Sequence, residues 1–377
     1  MSSIHDLLEQ AIQSRASDLL IKAGAPPAIR VDGRIVAAQQ QAMTPEDTEA
    51  IALNIIDTAS RDRLLKLGAA GRRVEEIDQI DADVALAHLR EQDELDLVFT
   101  IPNLIRVRAN LYLQQGTIAA ALRIIPLVPR TIEQLNLPHI LRDVAGKPQG
   151  LVIVTGPTGS GKSTTLAGLI EEINNTRAAN IVTVEDPIEY VFRDKRSMIQ
   201  QREIGQDTRS FTTALRSVLR QSPDVIMLGE MRDPATIEVA LTAAEVGHLV
   251  LTTLHTSGAP QTIERIMNAF PSEKRSQIAA QIAGGLLCVA SQRLVPCAGG
   301  VGRVPTVEVM TGSPTVKRQI EGFEMAGLSE SIREGAHFGM QTFNMSLAEL
   351  VERRAITHET ALVTSPDPAE LRQLIRH

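Results

Sequence analysis

Apolar residues recur along this chain with two different periods, and the change between them divides it. From Ile4 to Ser14 the positions Ile4, Leu7, Leu8, Ala11 and Ile12 have helical spacing, which predicts a first helix. Asp18 to Lys22 then reads as a strand, and Gly24, Pro26 and Pro27 end it. Ala28 to Val31, followed by Asp32-Gly33, predicts a hairpin. A second helical pattern begins at Pro45 and runs through Ile51, Ile55, Ile56 and Leu64 until Gly68 and Gly71 break it. Strand patterns return at Leu95–Ile101, Ile105–Leu113 and Ile118–Ile125. Pro126, Pro129, Pro138 and Pro148 punctuate the next stretch, with a helix predicted over Ile132–Val144, and place a domain junction near residues 126–132.

After Pro148 the pattern changes to short, continuous apolar runs. Leu151–Val154, Asn180–Val184, Asp224–Glu230 and His248–Thr256 are each strand-length, and helix-compatible segments at Thr165–Ile170, Thr208–Gln221 and from Pro234 alternate with them. Uninterrupted apolar strands are buried on both faces, so the expectation is an α/β fold, a RecA-like parallel sheet covered by helices. Further on, Glu273–Ser291 is predicted helical, Arg293–Met310 reads as a hairpin around Gly299-Gly300, and the remainder to His377 as a small helical bundle. The expected domains are 1–128 (α+β), 129–310 (the parallel sheet) and 311–377 (helical).

The chemistry concentrates at the ends of the apolar runs. Leu151–Val154 leads into Gly156-Pro157-Thr158-Gly159-Ser160-Gly161-Lys162-Ser163-Thr164 and then a helix, the strand, loop and helix context of a phosphate-binding loop. Glycines turn backbone N–H groups toward phosphate oxygens and the helix start adds positive potential. Lys162 can then reach the β/γ-phosphates, and Ser163 can ligate Mg²⁺. ATP and Mg²⁺ are thus the expected ligands. Glu185 and Asp186 close the second run, Glu230 the third and His255 the fourth, all at strand ends where such sheets bind ligands. Gly229 stands where a metal-holding Asp is usual, which makes Glu230 the candidate general base. A histidine flanking an apolar strand is ordinarily structural, a reading that suits His248; His255 is better placed to touch the γ-phosphate. Arg106 and Arg108 share a strand face and Arg123 sits near the end of the next strand, where arginines are ordinarily just solvated.

Composition narrows the function. Among 377 residues 2% are aromatic, Trp is absent and the formal net charge is −7, which argues against a nucleic-acid translocase. The 43% hydrophobic content suits a soluble globular protein. Cys288 and Cys297 cannot complete a zinc site and read as a core thiol and a loop thiol. No basic leader with an apolar core opens the chain and no run approaches bilayer length, so the expectation is a cytoplasmic protein without direct membrane insertion. Glu75 to Glu94 is strongly acidic and reads as a solvated insertion or an exposed helix.

Four blocks taken together resemble the type IV pilus retraction ATPases of the secretion-type ATPase superfamily: GPTGSGKST at 156–164, VEDPIEYVF at 184–192, ALRSVLRQSPDVIMLGEMRD at 214–233 and GHLVLTTLHT at 247–256. PPAIRVDG at 26–33, SQRLVP at 291–296 and FGMQTFNMSL at 338–347 are also similar to this family. The resemblance implies a PAS-like N-terminal domain whose Arg106 and Arg123 reach toward phosphate. It also implies that Glu230 is the catalytic glutamate, His255 a phosphate sensor, and Glu185 and Asp186 the acids of the family's Asp box. It further implies a homo-hexameric ATPase motor beneath the inner membrane that acts on a platform protein to power pilus retraction and twitching motility. The segment after Ser313-Pro314, Thr315 to Gly322, keeps only the general pattern of the retraction motors. That leaves open an accessory paralogue of low intrinsic turnover that couples to a principal motor. A tetracysteine zinc motif, typical of the assembly ATPases, is missing.

Overall fold

A computed structural model describes residues 4–14, 16–69, 82–101, 105–125 and 129–375. The chain forms two compact units, Met1–Leu127 and Val128–His377. The predicted junction at 126–132 begins outside the described residues, as does the 75–81 part of the acidic stretch.

The first unit contains α1 (Ile4–Gln13), β1 (Asp18–Ile21), β2 (Ala28–Val31), β3 (Arg34–Ala37), α2 (Pro45–Ala69), α3 (Ala82–Gln92), β4 (Glu94–Ile101), β5 (Ile105–Gln114) and β6 (Thr117–Ile125). Its six strands form an antiparallel sheet ordered β3-β2-β1-β6-β5-β4. Two hairpins are closed by paired left-handed residues, Asp32 and Gly33 (φ 50° and 83°) and Gln115 and Gly116 (φ 52° and 74°). That backbone matches the right-handed twist of the flanking strands. Ile4, Leu7, Leu8 and Ala11 of α1 and Ile51, Ala52, Ile55 and Ile56 of α2 are buried in one core. The acidic region is not simply solvated: its described end is α3, whose Leu86 and Leu89 join that core.

The second unit opens with α4 (Ile140–Ala145), β7 (Gly150–Thr155), α5 (Lys162–Thr176), β8 (Asn180–Glu185) and β9 (Met198–Glu203). It continues through α6 (Phe211–Val218), β10 (Val225–Leu228), α7 (Pro234–Glu245), β11 (Leu249–Leu254), α8 (Ala259–Asn268) and α9 (Ser272–Gly285). After β12 (Leu286–Pro296) and β13 (Arg303–Thr311) come five α-helices among the described residues. These are α10 (Pro314–Glu321), α11 (Met325–Glu334), α12 (Phe343–Glu352), α13 (His358–Thr364) and α14 (Pro368–Ile375). The sheet order is β13-β12-β7-β11-β10-β8-β9, parallel except for β13. Strands β7, β10 and β11 are buried at every position, as suits their mostly apolar sequences, with Thr155, Thr252 and Thr253 as buried polar residues among them. Helices α10 and α11 add Val316, Ile320, Leu328 and Ile332 to one face of this core. Leu347, Leu350, Ala361 and Leu371 of α12–α14 cover Val295 and Val304 at the far end of the β12–β13 pair. Both cysteines are free. Cys288 is buried in β12, where loss of solvent pushes its thiol up to about 12.

Three local expectations are corrected. The helix predicted over Ile132–Val144 is only Ile140–Ala145. Thr131 and Gln134 exchange side-chain and backbone hydrogen bonds in a single turn, which Asn136 ends in the left-handed region at φ 53°. The helix predicted over Glu273–Ser291 stops at Gly285, and Leu286–Pro296 is a strand. Its apolar residues pair with β7, a partner that periodicity does not reveal. Strand β9 was not predicted because Met198–Glu203 is a half-exposed, mostly polar edge that pairs only with β8 among the described strands.

Helix α7 begins just after the Glu230 segment, and its start is capped by Asp233. The Asp233 carboxylate accepts from the Thr236 backbone N–H at 2.9 Å and the Thr236 hydroxyl at 2.7 Å, with Pro234 opening the helix. Partial burial opposes its ionisation, but those bonds and the Ala235 N–H outweigh burial and hold the carboxyl below its usual range. Asp233→Ala is therefore expected to lower stability by about 1 kcal/mol at neutral pH, seen as a lower urea midpoint. Because the folded-state value is depressed, this contribution is present above the unfolded carboxyl value of about 3.9 and is lost as pH falls through the folded value. The gap between native and variant midpoints should hold down to about pH 4 and close below it.

Candidate active site

Strand β7 delivers the loop 156–161 to the start of α5, and the loop's path depends on residues without side chains. Gly156, Gly159 and Gly161 have φ of 145°, 78° and 90°. At Gly156 a Cβ would also lie 2.3 Å from the Gln292 carbonyl oxygen and 2.6 Å from Ser160 Oγ, so no larger residue fits. Lys162, in the first turn of α5, is buried and folds back over the loop. Its Nζ donates to the carbonyls of Gly156 at 2.9 Å and Pro157 at 3.0 Å. Burial lowers its pKa, while the charges of Glu230 and Glu189 oppose that shift. Pro157, Thr158 and Gly159 are exposed at the rim, and Ser163 is half-buried. The Ser160 hydroxyl is buried and has no hydrogen-bond partner among the described residues, an acceptor or donor held in reserve inside the loop. Thr164 Oγ1 contacts the Tyr190 hydroxyl at 3.1 Å.

Beside this loop the parallel register brings up the ends of β11 and β10. His255 Nδ1 is 3.5 Å from Lys162 Nζ, and His255 Nε2 is 3.5 Å from Glu230 Oε2. The other oxygen of Glu230 pairs with Arg232 Nε. A continuous polar chain, Lys162 to His255 to Glu230 to Arg232, thus runs from the loop across two strand ends. Glu230 is the shielded member, with its side chain 12% exposed against 52% for His255 and 72% for Arg232. The backbone around it is pinned to β11: Thr253 Oγ1 donates to the Gly229 carbonyl and the Met231 N–H to the Thr253 carbonyl. Past His255, the Thr256 N–H donates to Thr155 Oγ1 at 3.0 Å, and the Ala259 N–H at the start of α8 donates to Glu308 Oε1 at 2.7 Å. A cavity of about 450 Å³ opens here, lined by Glu230, Arg232, His255, Arg265 and apolar residues of α7 and α8.

The other sequence-predicted residues stand apart from that chain. Glu185 ends β8 and is buried, and burial raises its pKa against opposing hydrogen bonds from Thr183, Gln201 and the Glu189 N–H. Thr183 Oγ1 lies 2.7 Å and Gln201 Nε2 3.2 Å from its Oε1. Its carboxyl therefore organises the 185–190 turn. Asp186, next along, is exposed. Arg106 and Arg123 belong to the first unit. Arg106 is buried on β5, whereas Arg123 on β6 is 63% exposed with an ion pair to Asp18 at 3.5 Å. His248 Nδ1 lies 2.8 Å from the Pro223 carbonyl, the structural role expected of it.

Two participants were missed from the sequence. Arg232 lies within the quoted GEMRD segment, but only the turn after β10 brings it back onto Glu230. Gln292 lay between a predicted helix and a predicted hairpin. In the structure it is a buried β12 residue whose Nε2 donates to the Ser160 carbonyl and whose Oε1 accepts from Thr165. A divalent cation carried by a nucleotide fits these donors through the Ser163 hydroxyl. Among the described residues no group of three or more His, Cys, Asp or Glu could hold a metal without it. No helix of the described residues is long and apolar enough to cross a membrane.

Comparison with known proteins places the chain in a family. Residues 82–371 match the family "Type II/IV secretion system protein". The chain is 38% identical to the "Type IV pilus retractation ATPase PilT" of Pseudomonas aeruginosa over 358 residues, which covers 95% of this chain and 96% of the relative. It is also 34% identical to the "Type IV pilus ATPase PilU" of the same organism, over 98% of this chain and 90% of the relative. Among solved structures, that of the pilus retraction motor PilT with bound ADP superposes with a TM-score of 0.81 at 39% identity, covering 99% of this chain and 100% of that one. The Legionella pneumophila ATPase DotB superposes with a TM-score of 0.81 at 27% identity, covering 96% of this chain and 94% of that one. By the extent of the family match and the full-length likeness to these relatives, the chain belongs to the type II/IV secretion system ATPase family.

Proposed function

We propose that this chain is an ATPase motor that powers type IV pilus retraction. The observation that carries the reading is the unbroken chain from Lys162 through His255 to Glu230 at the mouths of three adjacent parallel strands. In it Lys162 exchanges the Gly156 and Pro157 carbonyls for phosphate oxygens when ATP enters the loop. Glu230, shielded from solvent, accepts the proton of the attacking water. His255 stands between them and reports the γ-phosphate by contact with both. The Ser163 hydroxyl would hold Mg²⁺ carried by the nucleotide, which would supply neutralisation of phosphate charge.

Glu185 serves this site by fixing the turn that carries Asp186 and Glu189, and the charge of Glu189 is felt at Lys162. Arg106 and Arg123 supply further positive charge to the transferring phosphoryl group, completing the site when chains assemble. The assembly proposed is a homo-hexamer held at the inner face of the inner membrane by a pilus platform protein. The proposal rests on the likeness to a pilus retraction motor over the whole chain. A second reading, an accessory ATP-binding paralogue with little turnover of its own, is favoured by one observation. Arg232 already occupies one oxygen of Glu230 and would keep the base engaged until a partner displaces it.

Glu230→Gln is expected to retain ATP binding while turnover falls by about 10²–10⁴-fold, and a Glu230→Gln chain with normal turnover would remove the general base assigned here. Lys162→Ala should instead weaken ATP binding itself, read directly by calorimetric titration. The steady-state ATPase rate, followed across protein concentration with mass read by light scattering, should rise as a six-subunit species forms. A hexamer that binds ATP yet turns over only after a second pilus ATPase is added would select the accessory reading.

A further inference from the structure

We propose that Gln292 is a positioning residue that holds the phosphate loop in its binding conformation, a role resting on the nucleotide-binding reading above. Strand β12 runs parallel to β7 with Ser291 opposite Thr155, so Gln292 arises beside Gly156, the first residue of the loop. It is 3% exposed. Its amide uses both ends: Nε2 donates to the Ser160 carbonyl at 2.6 Å, and Oε1 accepts from Thr165 Oγ1 at 2.7 Å. One side chain thus clamps the last turn of the loop to the first turn of α5.

The consequence follows from peptide geometry. In a planar trans peptide the C=O and the following N–H point in opposite directions. Fixing the Ser160 carbonyl on Gln292 therefore turns the Gly161 N–H away from β12, into the loop where phosphate oxygens bind. Two of the loop's glycines also answer to this residue. A Cβ on Gly156 would stand 2.3 Å from the Gln292 main-chain oxygen, and one on Gly161 2.8 Å from the Gln292 amide nitrogen. The glycine spacing of the loop is accordingly fitted to its neighbour on β12 as well as to a ligand. Without the clamp, a buried carbonyl and a buried hydroxyl lose their partners, and the loop must satisfy them by rotating peptides that should face phosphate.

Calorimetric titration of ADP into the full chain and into Gln292→Met, Gln292→Glu and Thr165→Val tests this, with thermal melts taken without nucleotide. Gln292→Met keeps volume and removes both bonds; its Kd for ADP should rise about tenfold. Gln292→Glu loses the donor and adds a charge near the phosphates, so its Kd should rise further at pH 8. Its deficit relative to the native chain at the same pH should shrink toward pH 6, where a protonated carboxyl can donate to the Ser160 carbonyl again. Loss of general packing would not produce that pH-dependent gap. Thr165→Val, which releases the clamp from the other end, keeps the measurement decisive should the Met variant fold poorly; it should raise Kd about threefold. Folded variants that all bind ADP within twofold of the native chain, or a Glu deficit unchanged between pH 8 and 6, overturn the assignment. A native chain that binds no ADP overturns the nucleotide-binding reading and this inference with it, whereas native binding matched by every variant overturns the role of Gln292 alone.

Discussion

The register of β7 against its two parallel neighbours is the constraint on which the site depends. Thr155, the last residue of β7, lies opposite Leu254 on β11 and Ser291 on β12. The next residue of each strand is therefore Gly156, His255 and Gln292, and the three emerge at one level. Because side chains alternate faces along a strand, a slip of one residue on either neighbour would turn its side chain away from the loop. What fixes the register is burial: every position of β7 and β11 is inside, so sliding either strand would break contacts on both faces of the sheet. The hydrophobic core thus sets the phosphate-binding geometry at a distance of one residue.

On that frame the charged groups satisfy each other in sequence. A buried lysine is costly unless its donors are used, and Lys162 spends them on the loop's own carbonyls with a histidine adjacent. Glu230 in turn is held between His255 and Arg232. The Lys162 contacts are ones that an arriving phosphate can replace with stronger ones, because a phosphate oxygen is a better acceptor for an ammonium than a carbonyl is. By contrast Glu185 is locked by three donors, which suits it to shape a turn and not to exchange partners during a cycle.

The first unit has a different logic. Its antiparallel sheet is covered by α1 and α2, and its chemistry-bearing residues lie on strands β5 and β6. Arg108 lies opposite Arg123 in register, two like charges whose mutual repulsion disfavours the pairing. Asp18 on β1 meets this by pairing with both Arg30 and Arg123.

The sequence by itself determined the elements whose signal is local. Gly156 to Thr164 announced the loop because its glycine spacing is dictated by backbone sterics and a lysine at a helix start supplies the charge that phosphate needs. The runs at 151–154, 180–184, 224–230 and 248–256 announced central strands because strands buried on both faces are mostly apolar. The Asp32-Gly33 hairpin was legible for the same kind of reason. The tertiary structure alone decided what depends on a partner remote in sequence. Leu286–Ala290 could continue α9 or pair with β7, and only the vacancy beside β7 made it a strand. Polar β9 is a strand through its pairing with β8. Gln292 and Arg232 carry no pattern of their own; each gains its place from a backbone 132 residues away in one case and a turned chain in the other. Periodicity records how a residue meets its own helix or strand, and these residues are defined by what they meet across the fold.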